Sequence, residues 1–314
     1  MYYVGIDLGG TTIKGGIVTE DGNIIKSKSA PTLPEREGSE IIKSIAMLAL
    51  DIINEEGINI KDIHSVGIGS PGLIDSKNKV IVLSSNINFY NINVEEEMKK
   101  YIDLPIYLEN DANCATIAEF VCGSMKGYDS GVMLTIGTGI GGGVILNSKI
   151  SKGSYLGEGE LGHTIVDYTG GEYCGCGQKG CLETFCSANA IIKYAKELLK
   201  DEKNSKILEL AESFDEINAK NVFDAYDLKD DIAIKVIERF NTYLAIGIVN
   251  IVNTFRPGVI SIGGGASARG EVLTNPIEQI AKKMIYGNGF ETKVVPAILG
   301  NDAGIIGAAM ISKV

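Results

Sequence analysis

The chain has 314 residues, 45% of them hydrophobic, which allows one large or two medium-sized domains. Its net charge of −11 argues against a nucleic-acid partner, because nucleic-acid-binding proteins usually carry a basic surface. The sequence contains no run of about 18 apolar residues and no signal-peptide pattern, so we expect a cytoplasmic protein with no membrane partner.

The chain begins with a predicted β-hairpin around a glycine-rich turn. A strand over 3–6 leads into Asp7-Leu8-Gly9-Gly10-Thr11-Thr12, and a return strand covers 13–18. Glycine turns offer backbone N–H groups to a phosphate, and threonine hydroxyls and Lys14 add further donors. Asp7 lies at the mouth of the turn, where a carboxylate can hold Mg²⁺ or can simply hydrogen-bond its own turn.

The next elements lead to a carboxylate at a strand-to-helix junction. A helix is predicted over 39–56, ended by Gly57, and a buried strand over 65–68. A further strand over 105–108 runs into Glu109-Asn110-Asp111-Ala112-Asn113, where a helix begins that continues to about residue 122. An aspartate at such a junction either caps the helix or serves a reaction as a base, and position alone favours the cap.

The opening pattern then returns as an internal repeat. A strand over 132–136 enters the turn Gly137-Thr138-Gly139-Ile140-Gly141, and a return strand covers 144–146. Superposing Ile6-Asp7-Leu8-Gly9 on Leu134-Thr135-Ile136-Gly137 aligns the two hairpins, about 128 residues apart. We therefore predict an α/β protein of two similar lobes, each presenting one glycine loop to a shared central cleft.

Helices dominate the rest of the chain. They are predicted over 188–200, 205–213, 218–226, 230–254 and 271–285. Between the last two lies a strand over 258–262 that ends in Gly263-Gly264-Gly265, a third glycine run. We place the lobe border near residue 115, with 1–115 in the first lobe and 116–299 in the second. The final helix, within 300–314, is expected to return to the first lobe.

A metal site is predicted from the spacing of His163, Cys174, Cys176 and Cys181. One imidazole and three thiolates complete a tetrahedral Zn²⁺ shell, which leaves no open position and indicates a structural ion. Buried reduced cysteines or disulfides are the alternative interpretation. The other three cysteines lie in predicted helices and are expected to be packed thiols.

These motifs together resemble the ROK family of sugar kinases and sugar-responsive repressors, which have the two-lobed actin-like (ribonuclease H-like) ATPase fold. The resemblance rests on 7–14, 109–113 and 135–143, on Glu158-Gly159-Glu160-Leu161-Gly162-His163 with the cysteine segment 174–183, and on Asn301-Asp302-Ala303-Gly304. It spans nearly the whole chain.

The resemblance implies a role for each motif. Asp111 would be the catalytic base, and the three glycine runs with Asp7 and Lys14 would bind ATP and Mg²⁺. The implied sugar ligands are Gly72, Asn86, Asn110, Asp111, Glu160, His163 and Glu183. His163 would then serve both zinc and sugar.

Within the family the likeness is greatest to bacterial ATP-dependent glucokinases, so the implied activity is conversion of glucose to glucose 6-phosphate. Fructose, N-acetylmannosamine and allose remain alternative acceptors, and polyphosphate is an alternative donor that the cysteine motif disfavours. Repressors of the family carry a helix-turn-helix before the first glycine loop. Because the first predicted strand starts at about residue 2, we expect an enzyme and not a regulator. A homodimer or homotetramer is implied.

Overall fold

A computed structural model of the protein describes residues 1–84, 86–202, 204–287 and 289–314; Ser85, in the loop predicted to contact sugar, lies outside the described residues. The chain forms two compact units. The first comprises Met1–Met133, Gly143–Gly159 and Ala297–Val314, and the second comprises Leu134–Gly142 and Glu160–Pro296. Residue 115, where we predicted the border, lies inside the first unit, and residues 297–314 belong to the same unit.

From the N-terminus to residue 121 the helices and strands are, in chain order, β1 (Tyr2–Leu8), β2 (Thr12–Thr19), β3 (Ile24–Pro31), α1 (Gly38–Glu56), β4 (Ile63–Ser70), β5 (Leu73–Asp75), β6 (Val80–Ser84), β7 (Phe89–Asn93), α2 (Val94–Met98), β8 (Ile106–Asn110) and α3 (Asp111–Val121). They are followed by β9 (Gly131–Ile136), β10 (Ile140–Leu146), β11 (Lys149–Ile150), α4 (Glu183–Cys186), α5 (Ala188–Leu198), α6 (Lys206–Leu210), α7 (Ala219–Asp227), α8 (Asp231–Phe255), β12 (Val259–Gly264), α9 (Glu271–Met284), β13 (Lys293–Pro296) and α10 (Ala303–Met310).

The predicted internal repeat is present as two five-stranded sheets of the same topology. Their spatial orders are β3-β2-β1-β4-β8 and β11-β10-β9-β12-β13. In each sheet the strands stand in the order third, second, first, fourth, fifth of their own sequence. In the first sheet β1 and β2 are antiparallel, whereas β1, β4 and β8 run parallel. In the second sheet β12 and β13 are likewise parallel.

Parallel strands in the first sheet determine where the polar residues of the first unit lie. The carboxyl ends of parallel strands meet at one edge of a sheet, and ligands usually bind at that edge in α/β proteins. The register pairs Asp7 with Gly69 and Ser70 with Asn110. The ends of β1, β4 and β8 are therefore side by side, and the Gly9–Thr12 turn leaves from the same edge.

Helix α1 covers one face of this sheet, as its residue spacing predicts. Its apolar residues recur at helical spacing and are buried, and Gly57 ends the helix in the left-handed conformation at φ 71°. They join side chains of β1, β2 and β4 in one hydrophobic cluster. The buried positions of the helix are Ile41, Ile42, Ile45, Ala46, Leu48, Ala49, Ile52 and Ile53.

Helix α10 packs against β1, β4 and α3 at very short range. A Cβ atom at Gly5 of β1 would lie 1.9 Å from the carbonyl oxygen of Ile305, and one at Gly67 of β4 would lie 1.8 Å from that of Ala308. On the helix itself, a Cβ at Gly307 would lie 1.7 Å from the carbonyl oxygen of Cys114. Glycine at these positions lets the helix backbone rest directly on its neighbours.

Strands β5, β6, β7 and β13 were not predicted. Strands β5, β6 and β7 form a small antiparallel sheet between β4 and β8, and β13 completes the second large sheet. The predicted helices of the second unit are present, although α6 is shorter than expected. Within the described ranges, no helix combines the length and the apolar composition that crossing a membrane requires.

Candidate active site

Asn110, and not Asp111, caps helix α3. The amide oxygen of Asn110 accepts hydrogen bonds from the backbone N–H of Ala112 at 2.9 Å and of Asn113 at 3.3 Å. Asp111 is the first residue of the helix, is exposed, and accepts one bond from Ala112 N–H through Oδ1 at 2.9 Å. The capping role that position alone would assign to Asp111 is therefore filled by its neighbour.

The buried carboxylate of Glu109 stabilises the start of this helix through hydrogen bonds. Glu109 is 3% exposed, and its Oε1 accepts from the Asn110 backbone N–H and from the Asn113 side-chain amide, both at 3.0 Å. Its Oε2 lies 3.1 Å from the ammonium of Lys152, which offsets the cost of burying the charge. Glu109, the first residue of the 109–113 motif, thus holds in place the segment that carries Asp111.

Asp7 and Asp111 influence one another in the first unit. Burial raises the pKa of Asp7 above its usual value, and the charge of Asp111 raises it further, whereas Lys14 lowers it. Although the Asp111 side chain reaches solvent, the protein atoms around it displace part of its water and raise its pKa, against the lowering effect of its backbone hydrogen bonds. A Cβ at Gly304, in the first turn of α10, would lie 2.6–2.9 Å from the carboxylate atoms of Asp7. Asp7 is therefore packed against α10, and the charge of Asp111 adds to the effect of burial on its pKa.

The first glycine turn is held by hydrogen bonds on both sides. Gly9 N–H donates to the carbonyl of Thr12 at 3.0 Å within the turn. From the end of β3, Thr32 N–H donates to the carbonyl of Thr11 at 2.9 Å, and its hydroxyl donates to the carbonyl of Gly9 at 2.7 Å. Thr32 was absent from the predicted site, because an isolated threonine after a strand carries no recognisable sequence signal.

The two loop residues predicted to contact sugar lie beside these groups. Gly72 has φ 109°, and a Cβ there would lie 2.2 Å from the Leu83 carbonyl oxygen, so the position needs glycine. Its own carbonyl oxygen is 3.4 Å from the side-chain amide nitrogen of Asn110. Asn86 is exposed and adjoins the first turn, since a Cβ at Gly10 would lie 3.8 Å from the Asn86 Cβ.

The second glycine turn is tied to Glu183 in the second unit. Gly137 N–H donates to the carbonyl of Gly139 at 2.9 Å. Glu183 Oε2 accepts from Ile140 N–H at 2.8 Å, and a Cβ at Gly139 would lie 2.3 Å from the same oxygen. Thr138 is exposed at the tip of the turn. Glu183, predicted as a sugar ligand, therefore also contacts the backbone of a predicted phosphate loop.

The third glycine run ends β12 next to the end of β9. Gly263 is buried in the strand. Gly264 has φ 79°, and a Cβ there would lie 2.2 Å from the carbonyl oxygen of Ile136. Gly265 begins a short 3₁₀ helix through Arg269 and has open space around it. The run thus lies beside the second glycine turn.

His163, Cys174, Cys176 and Cys181 form one cluster in the second unit, with all four candidate ligand atoms within 4.8 Å of one another. The Cys176 and Cys181 sulfurs are 3.6 Å apart, and the Cys174 sulfur is 3.5 Å from Nδ1 of His163. Ligands of a tetrahedral zinc ion with bonds of about 2.0–2.3 Å are separated by roughly 3.5–3.8 Å. The donor set and its spacing therefore fit Zn²⁺.

The three thiols of this cluster differ in acidity. Burial raises the pKa values of Cys174 and Cys181, whereas the backbone N–H of Gln178 lowers that of Cys176. Three adjacent thiolates need a bound metal to remain deprotonated together. On the other side of the imidazole, Nε2 of His163 lies 3.9 Å from Glu160, so the ring joins the cluster to a predicted sugar ligand.

The predicted residues thus assemble into two groups. Within the first unit, the structure brings together Asp7, the first glycine turn, Lys14, Gly72, Asn86, Asn110 and Asp111. Within the second unit, it brings together the second and third glycine runs, Glu160, His163, Glu183 and the cysteines. Sequence reasoning overlooked Thr32 and Lys152 and underestimated Glu109, because each acts through backbone or buried contacts that no short motif encodes.

Comparison with known proteins gives a consistent result along the chain. Residues 3–314 match the model of the ROK family. A glucokinase of Thermotoga maritima is 38% identical over 99% of this chain and 96% of its own length. A ROK family glucokinase of Streptomyces griseus, solved with glucose and AMPPNP, superposes with a TM-score of 0.80 at 30% identity, covering 98% of both chains. A xylose repressor of Bacillus spizizenii is 30% identical over 99% of this chain, which covers 76% of the repressor. The predicted two-lobed actin-like fold class is confirmed.

Proposed function

The chain belongs to the ROK family, and on this premise we propose that it is a glucokinase, transferring the γ-phosphoryl group of ATP to glucose to give glucose 6-phosphate. One observation carries the proposal. Asp111 lies at the carboxyl edge of the first sheet. Because Asn110 caps helix α3, the carboxylate of Asp111 is available to a substrate. It shares this edge with a glycine turn suited to phosphate.

The chemistry follows from those positions. Asp111 accepts the proton of a sugar hydroxyl as the oxygen attacks the γ-phosphorus, and the bond from that phosphorus to the β–γ bridging oxygen breaks to release ADP. The raised pKa of Asp111 makes its carboxylate a better proton acceptor than an ordinary aspartate. The transition state is loose, so positioning and charge balance matter more than base strength.

The nucleotide would be bound by the glycine turns, with Gly9, Gly10, Thr11, Thr12 and Lys14 on one unit. On the other unit, the corresponding residues are Gly137, Thr138, Gly139, Gly263, Gly264 and Gly265. Mg²⁺, when bound, would neutralise phosphate charge, and Asp7 is the residue suited to hold it. The raised pKa of Asp7, caused by burial and by Asp111, supports this fit because a cation would relieve both effects.

The sugar would be bound by Gly72, Asn86, Asn110, Glu160, His163 and Glu183. The zinc cluster supports the last two, since Nδ1 of His163 faces the sulfur of Cys174 and Glu183 Oε1 lies 3.5 Å from the same sulfur. Zinc, when bound, would supply structure and not Lewis-acid chemistry, because four protein ligands fill its shell. We propose that zinc occupancy thereby affects sugar affinity.

The regulator alternative is less well supported than the kinase. The chain is 38% identical to the Thermotoga glucokinase and 30% identical to the xylose repressor, so its sequence is nearer to that of the enzyme. The catalytic carboxylate and both glycine turns are present, which a protein that only senses sugar would not need.

A coupled assay of ADP release tests the proposal. Purified protein is given ATP or polyphosphate and a panel of glucose, fructose, allose, mannose and N-acetylmannosamine. We expect the highest kcat/KM with ATP and glucose. Activity on another hexose alone would move the assignment to that sugar, and no sugar-dependent ADP release with any acceptor would reject a kinase.

A further inference from the structure

All backbone and side-chain polar groups of Thr32 form hydrogen bonds, two of them to the first glycine turn. The residue is fully buried at the end of β3. Its N–H donates to the Thr11 carbonyl at 2.9 Å, and its hydroxyl donates to the Gly9 carbonyl at 2.7 Å. Its own carbonyl accepts from Nη2 of Arg36 at 2.8 Å. Thr32 therefore binds two carbonyls of the first glycine turn and is itself held by a cation.

Peptide geometry gives these two bonds a consequence. In a trans peptide unit the C=O and the following N–H point in opposite directions, and the chain has no cis peptide bonds among its described residues. When Thr32 draws the Gly9 carbonyl toward itself, the N–H of Gly10 points away from Thr32. The Thr11 carbonyl fixes the N–H of Thr12 in the same way. Both N–H donors therefore point away from Thr32.

A turn of four residues that includes two glycines has little stiffness of its own. Without an external support, the Gly9–Gly10 peptide unit can rotate at small cost, because glycine admits both signs of φ. A rotated unit would present a carbonyl oxygen, which repels phosphate, in place of an N–H. The hydroxyl of Thr32 prevents this rotation by holding the Gly9 carbonyl.

We propose that Thr32 is a positioning residue that orients the N–H groups of Gly10 and Thr12 toward the phosphates of ATP, with Arg36 securing Thr32 in turn. The inference rests on the proposed function, since it assumes that the first glycine turn binds nucleotide phosphate. It assigns to a buried residue outside every recognised motif the task of keeping that turn ready before ATP arrives.

The test compares Thr32→Val with a matched control elsewhere in the chain. Valine keeps the shape of threonine and removes only the hydroxyl. Thr292 offers the same chemistry outside the proposed site, because it is 5% exposed and its hydroxyl donates to the Pro257 carbonyl at 2.7 Å. Binding of AMPPNP with Mg²⁺ is measured by calorimetry without sugar, followed by the KM values for ATP and glucose.

We expect Thr32→Val to weaken AMPPNP binding and to raise the KM for ATP by about tenfold, the usual effect of losing one buried hydrogen bond. The KM for glucose should change less than about twofold. Thr32→Ser, which keeps the hydroxyl, should bind as the wild type does, and so should Thr292→Val. Both valine variants should lose comparable unfolding stability, which separates the binding effect from general destabilisation.

Two outcomes would overturn the inference while leaving the kinase intact: nucleotide binding by Thr32→Val equal to wild type, or an equal loss in Thr292→Val. Should Thr32→Val fail to fold, Arg36→Met replaces it, with an expected loss of about threefold in AMPPNP affinity, and an unchanged affinity rejects the inference. Wild-type protein that binds no AMPPNP would instead reject the proposed function, and this inference with it.

Discussion

Asn110 and Asp111 divide two tasks at the start of α3: Asn110 caps the helix, and Asp111 is the proton acceptor of the proposed reaction. A free helix N-terminus needs an acceptor for its unpaired N–H groups, and asparagine and aspartate are almost equally good at this. Because the amide oxygen of Asn110 accepts hydrogen bonds from the N–H groups of Ala112 and Asn113, the carboxylate of Asp111 is not needed as the helix cap. The adjacent pair explains how a strand-to-helix junction can also serve as a reactive site.

Replacing Asp111 by Asn should separate activity from stability. We expect Asp111→Asn to lower kcat by roughly 10²–10⁴, because the proton acceptor is lost while the shape remains. The raised pKa means that the folded state disfavours the charged carboxylate, so stability declines as the pH rises through that pKa. The variant should therefore melt at the same temperature as wild type at pH 7, or higher. Near-normal kcat would remove Asp111 as the base.

The pH dependence should report the same carboxyl group. The base must be deprotonated, so kcat/KM for glucose should fall as the pH falls through an apparent pKa above the usual aspartate value of 3.8. The charge on Asp111 also raises the pKa of Asp7, after the larger effect of burial. Rates between about pH 4 and 8 check this. An acid limb that is identical in Asp111→Asn would contradict the assignment.

At the scale of elements, the contact between α10 and the first sheet depends on missing side chains. Gly67 lies in the middle of β4 under the backbone of α10, where a methyl group would approach the Ala308 carbonyl oxygen to 1.8 Å. A contact with backbone cannot be relieved by a rotamer change, so the helix must move. The close approach also brings Gly304, in the first turn of α10, against the carboxylate of Asp7.

Gly67→Ala should therefore destabilise the first unit by about 2 kcal/mol or more, as overpacking a core typically does. Ser65→Ala, at a buried position of the same strand, adds no atom and serves as the control; it should cost less. Urea unfolding measures both. An unfolding midpoint for Gly67→Ala equal to that of Ser65→Ala would show that α10 does not lie against β4 at this distance.

The cysteine segment gives a second prediction at this scale. Cys176→Ser should abolish the one zinc ion expected per chain and raise the KM for glucose, because His163 and Glu183 lose their anchor. Cys122→Ser is the matched control, since Cys122 lies outside the cluster and should leave the metal content unchanged. Metal analysis by mass spectrometry and sugar kinetics are the measurements. A zinc-free variant with an unchanged KM for glucose would sever the link between metal and sugar.

Elements that depend on neighbouring residues could be predicted from the sequence, whereas elements that depend on contacts between distant segments could not. The two hairpins and α1 were found because glycine turns and apolar spacing are local signals. The sheet of β5, β6 and β7 was missed, because its strands have only three to five residues and depend on one another for pairing. In the candidate site, the motif residues could be named from the sequence, whereas Glu109 and Thr32 make long-range contacts, with Lys152 and with the glycine turn, that no local signal predicts.

At the scale of the whole molecule, the chain contains the same five-stranded order twice, and each sheet carries a glycine turn between its first two strands. This repetition was visible as a short sequence overlap near residues 6 and 134. The lobe border was harder to place, since the first unit includes 143–159 and 297–314 besides its N-terminal segment. The sequence carries no local signal at the residues where the chain leaves one unit and later returns to it.

The assembly state remains a prediction at this scale. The family resemblance implies a homodimer or homotetramer, and light scattering coupled to gel filtration determines the mass directly. The chain mass is 33.5 kDa, so a species near that value would contradict the expectation.

The return of α10 to β1 has a consequence for how the protein is made. The hydrophobic cluster that contains Tyr3 of β1 and Val18 of β2 is completed only by side chains of residues 303–311. At roughly 5–20 residues per second, a ribosome needs about 15–60 s to reach them. During that interval the apolar surface of the earliest part of the polypeptide stays uncovered, which favours aggregation of incomplete chains.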